Sequence, residues 1–213
     1  DIYSTCSQDV DAMVPENLNG YQFARSDSSY AGIIIYYSNI DIRDYISVQL
    51  TDTLSSGVRY CVSFFISCAD SLFYYADDIG VHFSSAAIQH GSNSPLYLQP
   101  HVQNPSGDYL DNKLQWIEIS GEYVATGNEL FLTIGSFSDA ADINSYGDPA
   151  DIAYVYIDDV SVTQCSLQSV GNPSSNFSTV NIYPNPNKGD ITIHVTNVPE
   201  YTFELYGMDG RLL

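Results

Sequence analysis

Eight short runs rich in β-branched and aromatic residues are the strongest constraint on the fold. Turns of Gly, Asn, Asp and Ser separate them, and no stretch of useful length has helical periodicity. This spacing predicts an all-β sandwich. Residues 1–19 are predicted as loop and turn, and residues 69–76 as a short helical turn. The predicted strands span residues 21–25, 30–38, 44–50, 58–68, 79–84, 114–123, 129–137 and 152–162.

Two of these runs show how the sheets should pack. In 58–68 alternate residues from Tyr60 to Cys68 are apolar, which predicts a central strand packed on one side. In 152–162 a strict period of two places Tyr156, Asp158 and Val162 on one face. A carboxylate among apolar side chains suits either a cation such as calcium or a solvated strand end, and the sequence leaves both open.

The charge balance restricts the partners. Twenty-six acidic residues face six basic ones, giving a formal charge of −20. Binding phosphates requires Lys and Arg, so nucleic acid and anionic membranes are poor partners. No apolar run is long enough to span a bilayer as a helix. The balance favours solubility outside the cell and affinity for divalent cations.

The four cysteines allow two interpretations. Cys61 and Cys68 lie seven positions apart in one predicted strand, on opposite faces, and cannot bond to each other. If the cysteines pair, Cys6 and Cys165 must each reach that strand. The alternative is free, buried thiols.

Two loops are candidates for binding function. Residues 85–111 form a long connection with three prolines, and residues 138–151 carry four aspartates just before the Asp158 strand. Long loops in compact sandwiches often bind ligands, although padding is the commoner explanation. The aspartates are either further metal ligands or solvated turn formers.

The composition changes after Cys165. Residues 1–165 form the predicted sandwich domain, residues 166–180 a polar linker, and residues 181–213 a partial small β-module. The module opens with a Pro-Asn-Pro motif, has a glycine before its second strand, and later a Gly-Arg turn. These residues are Pro184, Asn185, Pro186, Gly189, Gly210 and Arg211.

The tail closely resembles the C-terminal sorting domain of proteins exported by the type IX secretion system. The family module normally continues through further strands than residues 181–213 contain. The resemblance implies a partial small β-sandwich sorting module that engages the type IX machinery. It also implies release from, or anchoring at, the outer surface of a Gram-negative bacterium.

Residues 20–163 are similar to secreted bacterial modules of the galactose-binding-like jelly-roll class. The similarity includes the segments 30–33, 43–46, 116–123, 127–137 and 156–160. Such modules occur in gliding and surface proteins and are distantly akin to carbohydrate-binding modules. The resemblance implies a jelly-roll β-sandwich and a structural calcium at Asp158, which an earlier strand with a Glu usually helps to bind.

Binding is favoured over catalysis. The four histidines lack metal-ligand spacing, and no nucleophile or zinc motif is present. Trp116 lies in a dense strand and is predicted as core.

The predicted sugar contacts are Tyr36, Tyr45, Gln49 and Tyr75, since a tyrosine beside polar groups can stack on a pyranose. We expect a non-catalytic adhesion module that binds carbohydrate or a surface protein. The alternative is a structural protein that self-associates and has no small-molecule ligand.

Overall fold

A computed structural model of the chain describes residues 1–89 and 94–165, together with the backbone of two later strands. The chain divides into two units, Asp1–Ser166 and Leu167–Leu213. In residues 1–89 and 94–165 the first unit contains thirteen strands and a 3-10 turn at Val10–Ala12. Its strands are β1 Ile2–Ser4, β2 Glu16–Asn17, β3 Gly20–Tyr21, β4 Ser29–Tyr36, β5 Ile46–Gln49, β6 Arg59–Cys68, β7 Tyr74–Ala76, β8 Gly80–Ser84, β9 Val102–Gln103, β10 Ile117–Val124, β11 Phe131–Gly135, β12 Ser145–Gly147 and β13 Ala153–Gln164.

Two sheets face each other across one core. The first has five strands in the order β1-β4-β13-β6-β10, and the second has four in the order β5-β11-β8-β9. Alternate side chains of both sheets point inward, because the side chains of a strand have a period of two. The resulting main core includes Ile33, Phe64 and Val155 from the first sheet and Val81 and Leu132 from the second. The predicted all-β sandwich is therefore confirmed, and β6 is an interior strand as expected.

A bulge in β13 changes which side chains share a face. The register of β13 against β6 shifts between Asp158 and Ser161, and Asp159 has a φ of 50°. Tyr156, before the bulge, lies outside the main core, whereas Val162, after it, packs against the main core. Strict alternation had placed both on one face. That prediction was wrong because the extra residue of a bulge reverses the alternation.

The N-terminal segment was predicted as loop, but it covers a second cluster on the outer face of the five-stranded sheet. Strand β1, which lies in this segment, pairs antiparallel with β4. The buried tyrosines of this outer cluster are Tyr3, Tyr30, Tyr154 and Tyr156. Asn17 accepts the Tyr156 hydroxyl at 2.8 Å and donates to the Tyr30 hydroxyl at 3.0 Å, while Asn19 donates to Tyr3 at 2.8 Å. Burial raises the pKa of the Tyr154 and Tyr156 hydroxyls. These hydroxyls therefore stay protonated and form hydrogen bonds beneath the N-terminal segment.

The cysteines follow neither interpretation completely. Cys61 forms a disulfide with Cys165, which ties the end of β13 to β6. Cys68 is a buried free thiol, and burial raises its pKa to about 12. Cys6 is free and exposed, so it does not reach the central strand.

Two other local predictions were wrong. Residues 69–76 contain β7 rather than a helical turn, because β7 pairs with β12 in a small separate sheet. Of the predicted strand 21–25, only Tyr21 belongs to a strand, which forms a two-residue hairpin with β2.

The second unit contains the antiparallel pair β14, Val180–Tyr183, and β15, Thr192–Val195. The assignment of residues 166–213 to a linker and a sorting module stays a prediction.

Candidate functional site

Three tyrosines form a contiguous surface, which we call the tyrosine patch. Tyr75 of β7 lies directly opposite Tyr146 of β12, with ring centroids 4.9 Å apart. Tyr109 meets Tyr146 edge to face at 4.8 Å. Tyr109 and Tyr146 are 40% and 43% exposed, so both residues are partly open to solvent. Half-exposed rings held against one another are a stacking surface for a flat ligand.

The hydroxyl at the centre of the patch is fixed by a carboxylate. Tyr146 donates to Oδ2 of Asp111 at 2.5 Å. This hydrogen bond, followed by burial, raises the pKa of Tyr146 to about 12. The hydroxyl therefore remains a donor to Asp111 across the physiological range, and the ring is held in one orientation.

A groove of about 660 Å³ begins beside the patch, at Tyr109 and Asp111. One wall is the loop that follows β9, within residues 103–112, and the other is the first half of β10, residues 117–120. Its volume lies within the range of about 300–1,000 Å³ that is typical of ligand sites. Three of the lining side chains are carboxylates, those of Asp108, Asp111 and Glu118, and among the described residues that line the groove none is Lys, Arg or His.

Lys113 comes directly after the groove wall that lies within residues 103–112, but its ammonium group binds outside the groove. Its ammonium group donates to the carbonyl oxygens of Asp70 at 3.0 Å and Leu72 at 2.8 Å. The same group lies over the ring of Phe73 at 4.3 Å and that of Tyr75 at 5.4 Å. Lys113 therefore braces the outer edge of the tyrosine patch.

Of the four predicted sugar contacts, Tyr75 alone belongs to the patch. Tyr36 is buried in the main core beside Tyr74, so its ring offers no stacking surface, which corrects that prediction. Tyr45 is half-buried, donates to the Ser136 carbonyl at 2.7 Å and packs against Phe137. Gln49 is exposed on β5, an edge strand of the four-stranded sheet. Ligand binding by Tyr45 and Gln49 stays a prediction.

Trp116, predicted as core, is half-buried. It packs against the outer cluster, with its ring 5.7 Å from that of Tyr30. No sugar contact was predicted for Trp116, and its indole N–H donates to the Phe23 carbonyl at 3.1 Å.

Asp158 holds a loop. Its Oδ2 accepts the backbone N–H of Arg25 at 2.8 Å and of Ser26 at 3.4 Å, and its Oδ1 accepts that of Asp159 at 2.8 Å. The neighbouring Asp159 carboxylate pairs with the Arg25 guanidinium, which itself lies over the ring of Phe65.

Both oxygens of the Asp158 carboxylate accept backbone N–H groups, whereas a calcium ion takes six to eight oxygen ligands. The acidic loop 138–151 ends seven residues before Asp158, roughly 23 Å away along an extended strand. Within residues 1–89 and 94–165, one group of three potential ligands is close enough to hold a metal: Cys61, Glu122 and Cys165. Two of its sulfurs are joined in the disulfide. Calcium binding stays a prediction.

Both loops of the site and Tyr75 were predicted from the sequence, but Tyr109, Asp111 and Tyr146 were not. Tyr109 and Asp111 lie at the end of the connection 85–111, and Tyr146 lies in the acidic loop 138–151. The available signal was a tyrosine in each loop close to an aspartate. The sorting-signal residues Pro184, Asn185, Pro186, Gly189, Gly210 and Arg211 lie outside the described residues.

Comparisons with known proteins give only distant likenesses. No protein-family model and no curated protein matches the chain. The CBM22-1 and GH10 modules of Clostridium thermocellum endo-1,4-β-D-xylanase 10B, complexed with xylohexaose, are 15% identical with a TM-score of 0.38. That match covers 68% of this chain and 23% of the xylanase chain.

Two further structures have similar scores. The K3 cleaved adhesin domain of Lys-gingipain from Porphyromonas gingivalis is 15% identical, with a TM-score of 0.37 over 67% of this chain and 76% of the domain. A CBM4 structure is 13% identical, with a TM-score of 0.37 over 77% of this chain and 85% of its own. Likenesses this distant do not assign a function.

No helix in the described part of the chain is long and apolar enough to cross a membrane.

Proposed function

We propose that the first unit is a non-catalytic binding module that holds a saccharide chain along the groove and the tyrosine patch. The observation that carries the proposal is the position of three contacting tyrosines beside a groove lined by carboxylates. Aromatic faces bind the apolar faces of pyranose rings. Carboxylates accept hydrogen bonds from sugar hydroxyls, and such charge-assisted bonds are short and strong.

The lining also restricts the saccharide. Asp108, Asp111 and Glu118 carry negative charge into the groove, and the described part of the lining contains no basic side chain to balance it. A uronic acid or a sulfated sugar would bring a like charge close to them, which costs free energy. The proposed ligand is therefore a neutral or amine-bearing saccharide.

Calorimetric titration with three probes tests this assignment. We expect binding of xylohexaose, which is neutral, and of a glucosamine hexamer, but none of a galacturonic acid trimer. Tyr146→Ala should abolish binding, whereas Tyr97→Ala, which changes a 61% exposed tyrosine outside the patch, should leave it unchanged. Equal binding by both variants, or binding of the acidic trimer alone, would overturn the proposal.

Self-assembly is a second candidate function, and a different surface favours it. Tyr21, Phe23 and Leu114 are exposed beside Trp116, in a groove of about 410 Å³. Leu114 is 90% exposed, and a contiguous apolar surface of this kind is typical of interaction sites. Sedimentation from micromolar to millimolar protein tests it. A concentration-dependent dimer that Leu114→Glu dissociates would support assembly, and a monomer throughout would exclude it.

We also propose export by the type IX system to the outer cell surface or the medium. The support is the sequence motif from Pro184 to Gly189 and the turn Gly210-Arg211. A fluorescent reporter fused to residues 166–213 should leave a Gram-negative bacterium that has this system and stay inside a mutant that lacks it. Retention of the reporter in both strains would contradict the proposal.

A further inference from the structure

Asp77 is a buried carboxylate that binds two loops at once. It follows β7 directly and is 3% exposed. Its Oδ2 accepts the backbone N–H of Gly107 at 2.6 Å and the side-chain amide of Asn144 at 2.7 Å. Its Oδ1 accepts the backbone N–H of Asn144 at 3.0 Å. Ser106 adds a weaker hydroxyl contact at 3.4 Å.

The two loops are those that build the candidate site. We call residues 104–110 the groove loop, since they form most of one wall, and residues 143–147 the patch loop, since they carry Tyr146. Asn104 strengthens the junction: its side-chain amide donates to the carbonyl oxygens of Asp77 and Asp108, both at 2.7 Å. The Asn144 amide also reaches the Ser106 hydroxyl at 3.0 Å, so the loops touch each other directly above Asp77.

We propose that Asp77 is the positioning residue that sets the distance between the groove wall and Tyr146. The inference rests on the proposed function for its consequence in binding, but the coupling of the loops is a property of the protein alone. All the partners of the Asp77 side chain are donors, and a carboxylate can accept from all of them. An amide in its place turns one acceptor into a donor that faces other donors. The two loops then lose hydrogen bonds to a shared carboxylate and keep only the backbone bonds at Asp77, from Asn104 and to Asn144.

Hydrogen exchange of the 213-residue chain tests the coupling without any ligand. In Asp77→Asn we expect faster exchange in the groove loop and the patch loop together. The matched control is Glu129→Gln, since Glu129 is also buried and its hydrogen bonds go to Tyr123 and the 126–128 turn. Beyond the uniform increase that a lower global stability gives to the core amides, its effect should stay in that turn. Should Asp77→Asn fail to fold, Asn144→Ala removes an exposed side chain that donates to Asp77. This variant should also show faster exchange in both loops.

Calorimetry with xylohexaose and the glucosamine hexamer separates this inference from the proposed function. If wild type binds, Asp77→Asn should weaken the affinity about tenfold or more, and Glu129→Gln should leave it unchanged at a temperature where both are folded. Equal affinity in Asp77→Asn, or faster exchange in only one loop, would overturn the positioning role. If wild type binds no saccharide, the proposed function fails, and the exchange experiment alone decides whether Asp77 couples the loops.

Discussion

Glu129 offers a sharp test of how this fold stabilises buried charge. Its carboxylate is 4% exposed and accepts five hydrogen bonds between 2.5 and 2.9 Å. The donors are the hydroxyls of Tyr123 and Thr126 and the backbone N–H groups of Thr126, Gly127 and Asn128. Burial alone would raise the pKa of Glu129, but the hydrogen bonds from Tyr123 and Thr126 outweigh it and hold the pKa far below its usual range.

The substitution Glu129→Gln gives a magnitude. The amide oxygen can still accept from Tyr123 and Thr126, but the amide nitrogen faces the N–H groups of Gly127 and Asn128. Two buried donors lose their partners, and each costs about 1–3 kcal/mol. We therefore expect the free energy of unfolding at pH 7 to fall by about 3 kcal/mol. For a domain of this size, the melting temperature should fall by roughly 6–12 °C.

The pH dependence carries the stricter test. The pKa of Glu129 is lower in the folded state than in the unfolded state. The ionised carboxylate therefore stabilises the fold fully above the unfolded pKa of about 4.3, and this stabilisation is lost as the pH falls toward the folded pKa. The slope is about 1.4 kcal/mol per pH unit for one proton. Between pH 7 and pH 3 wild type should lose about 1.8 kcal/mol that Glu129→Gln does not lose. The gap between the two proteins should narrow from about 3 to about 1 kcal/mol.

Urea unfolding of both proteins at pH 7, 5, 4 and 3 measures this gap. Glu118→Gln is the control, since Glu118 is an exposed carboxylate and its loss should change stability by less than about 0.5 kcal/mol. A difference below about 1 kcal/mol at pH 7 would refute the account of the hydrogen bonds. A gap that stays constant from pH 7 to pH 3 would refute the lowered pKa.

Three other perturbations have defined outcomes. Asp158→Ala should lower the unfolding free energy by about 2 kcal/mol equally in calcium and in excess chelator, because its carboxylate accepts backbone N–H groups. A calcium-dependent rise in the stability of wild type that the variant loses would instead support the calcium prediction. Reducing the disulfide between Cys61 and Cys165, which are 104 positions apart, should cost about 2–4 kcal/mol in urea unfolding, and an unchanged midpoint would contradict this. Nδ1 of His101 accepts the Phe83 N–H at 3.0 Å, and burial lowers the pKa of this histidine. Stability should therefore fall as the pH drops below about 6.5, and His101→Gln should flatten that part of the melting profile.

The strands of the sandwich were predictable because they obey local rules. Alternation located β6 and its buried face, and the turn residues separated most of the long strands. The failures need information that a period of two does not contain. The bulge after Asp158 reverses the alternation, and β1 is three residues long and is held by pairing to β4. Asn17 and Asn19, typical of a turn in sequence, instead satisfy buried tyrosine hydroxyls.

The candidate site was predictable only as a pair of loops. Tyr75 was identified as a sugar contact because it is a tyrosine among polar residues, and the same criterion chose Tyr36, which is buried. Nothing local distinguishes them, because Tyr36 ends a strand inside the sandwich whereas Tyr75 lies in a small separate sheet. Tyr146 joins Tyr75 through pairing across 71 positions, which no short motif encodes.

The scarcity of basic residues explains why so many carboxylates in this fold are held by neutral donors. Six Lys and Arg face 26 Asp and Glu, so few acids can find a cation. Asp77, Asp78 and Glu129 are buried and accept from backbone N–H groups, hydroxyls and amides instead. Such bonds are short-ranged and lie away from water, so salt screens them little. Acid removes them directly, because a protonated carboxyl loses acceptor capacity. We therefore expect the melting temperature to change little up to about 0.5 M salt and to fall steeply below about pH 4.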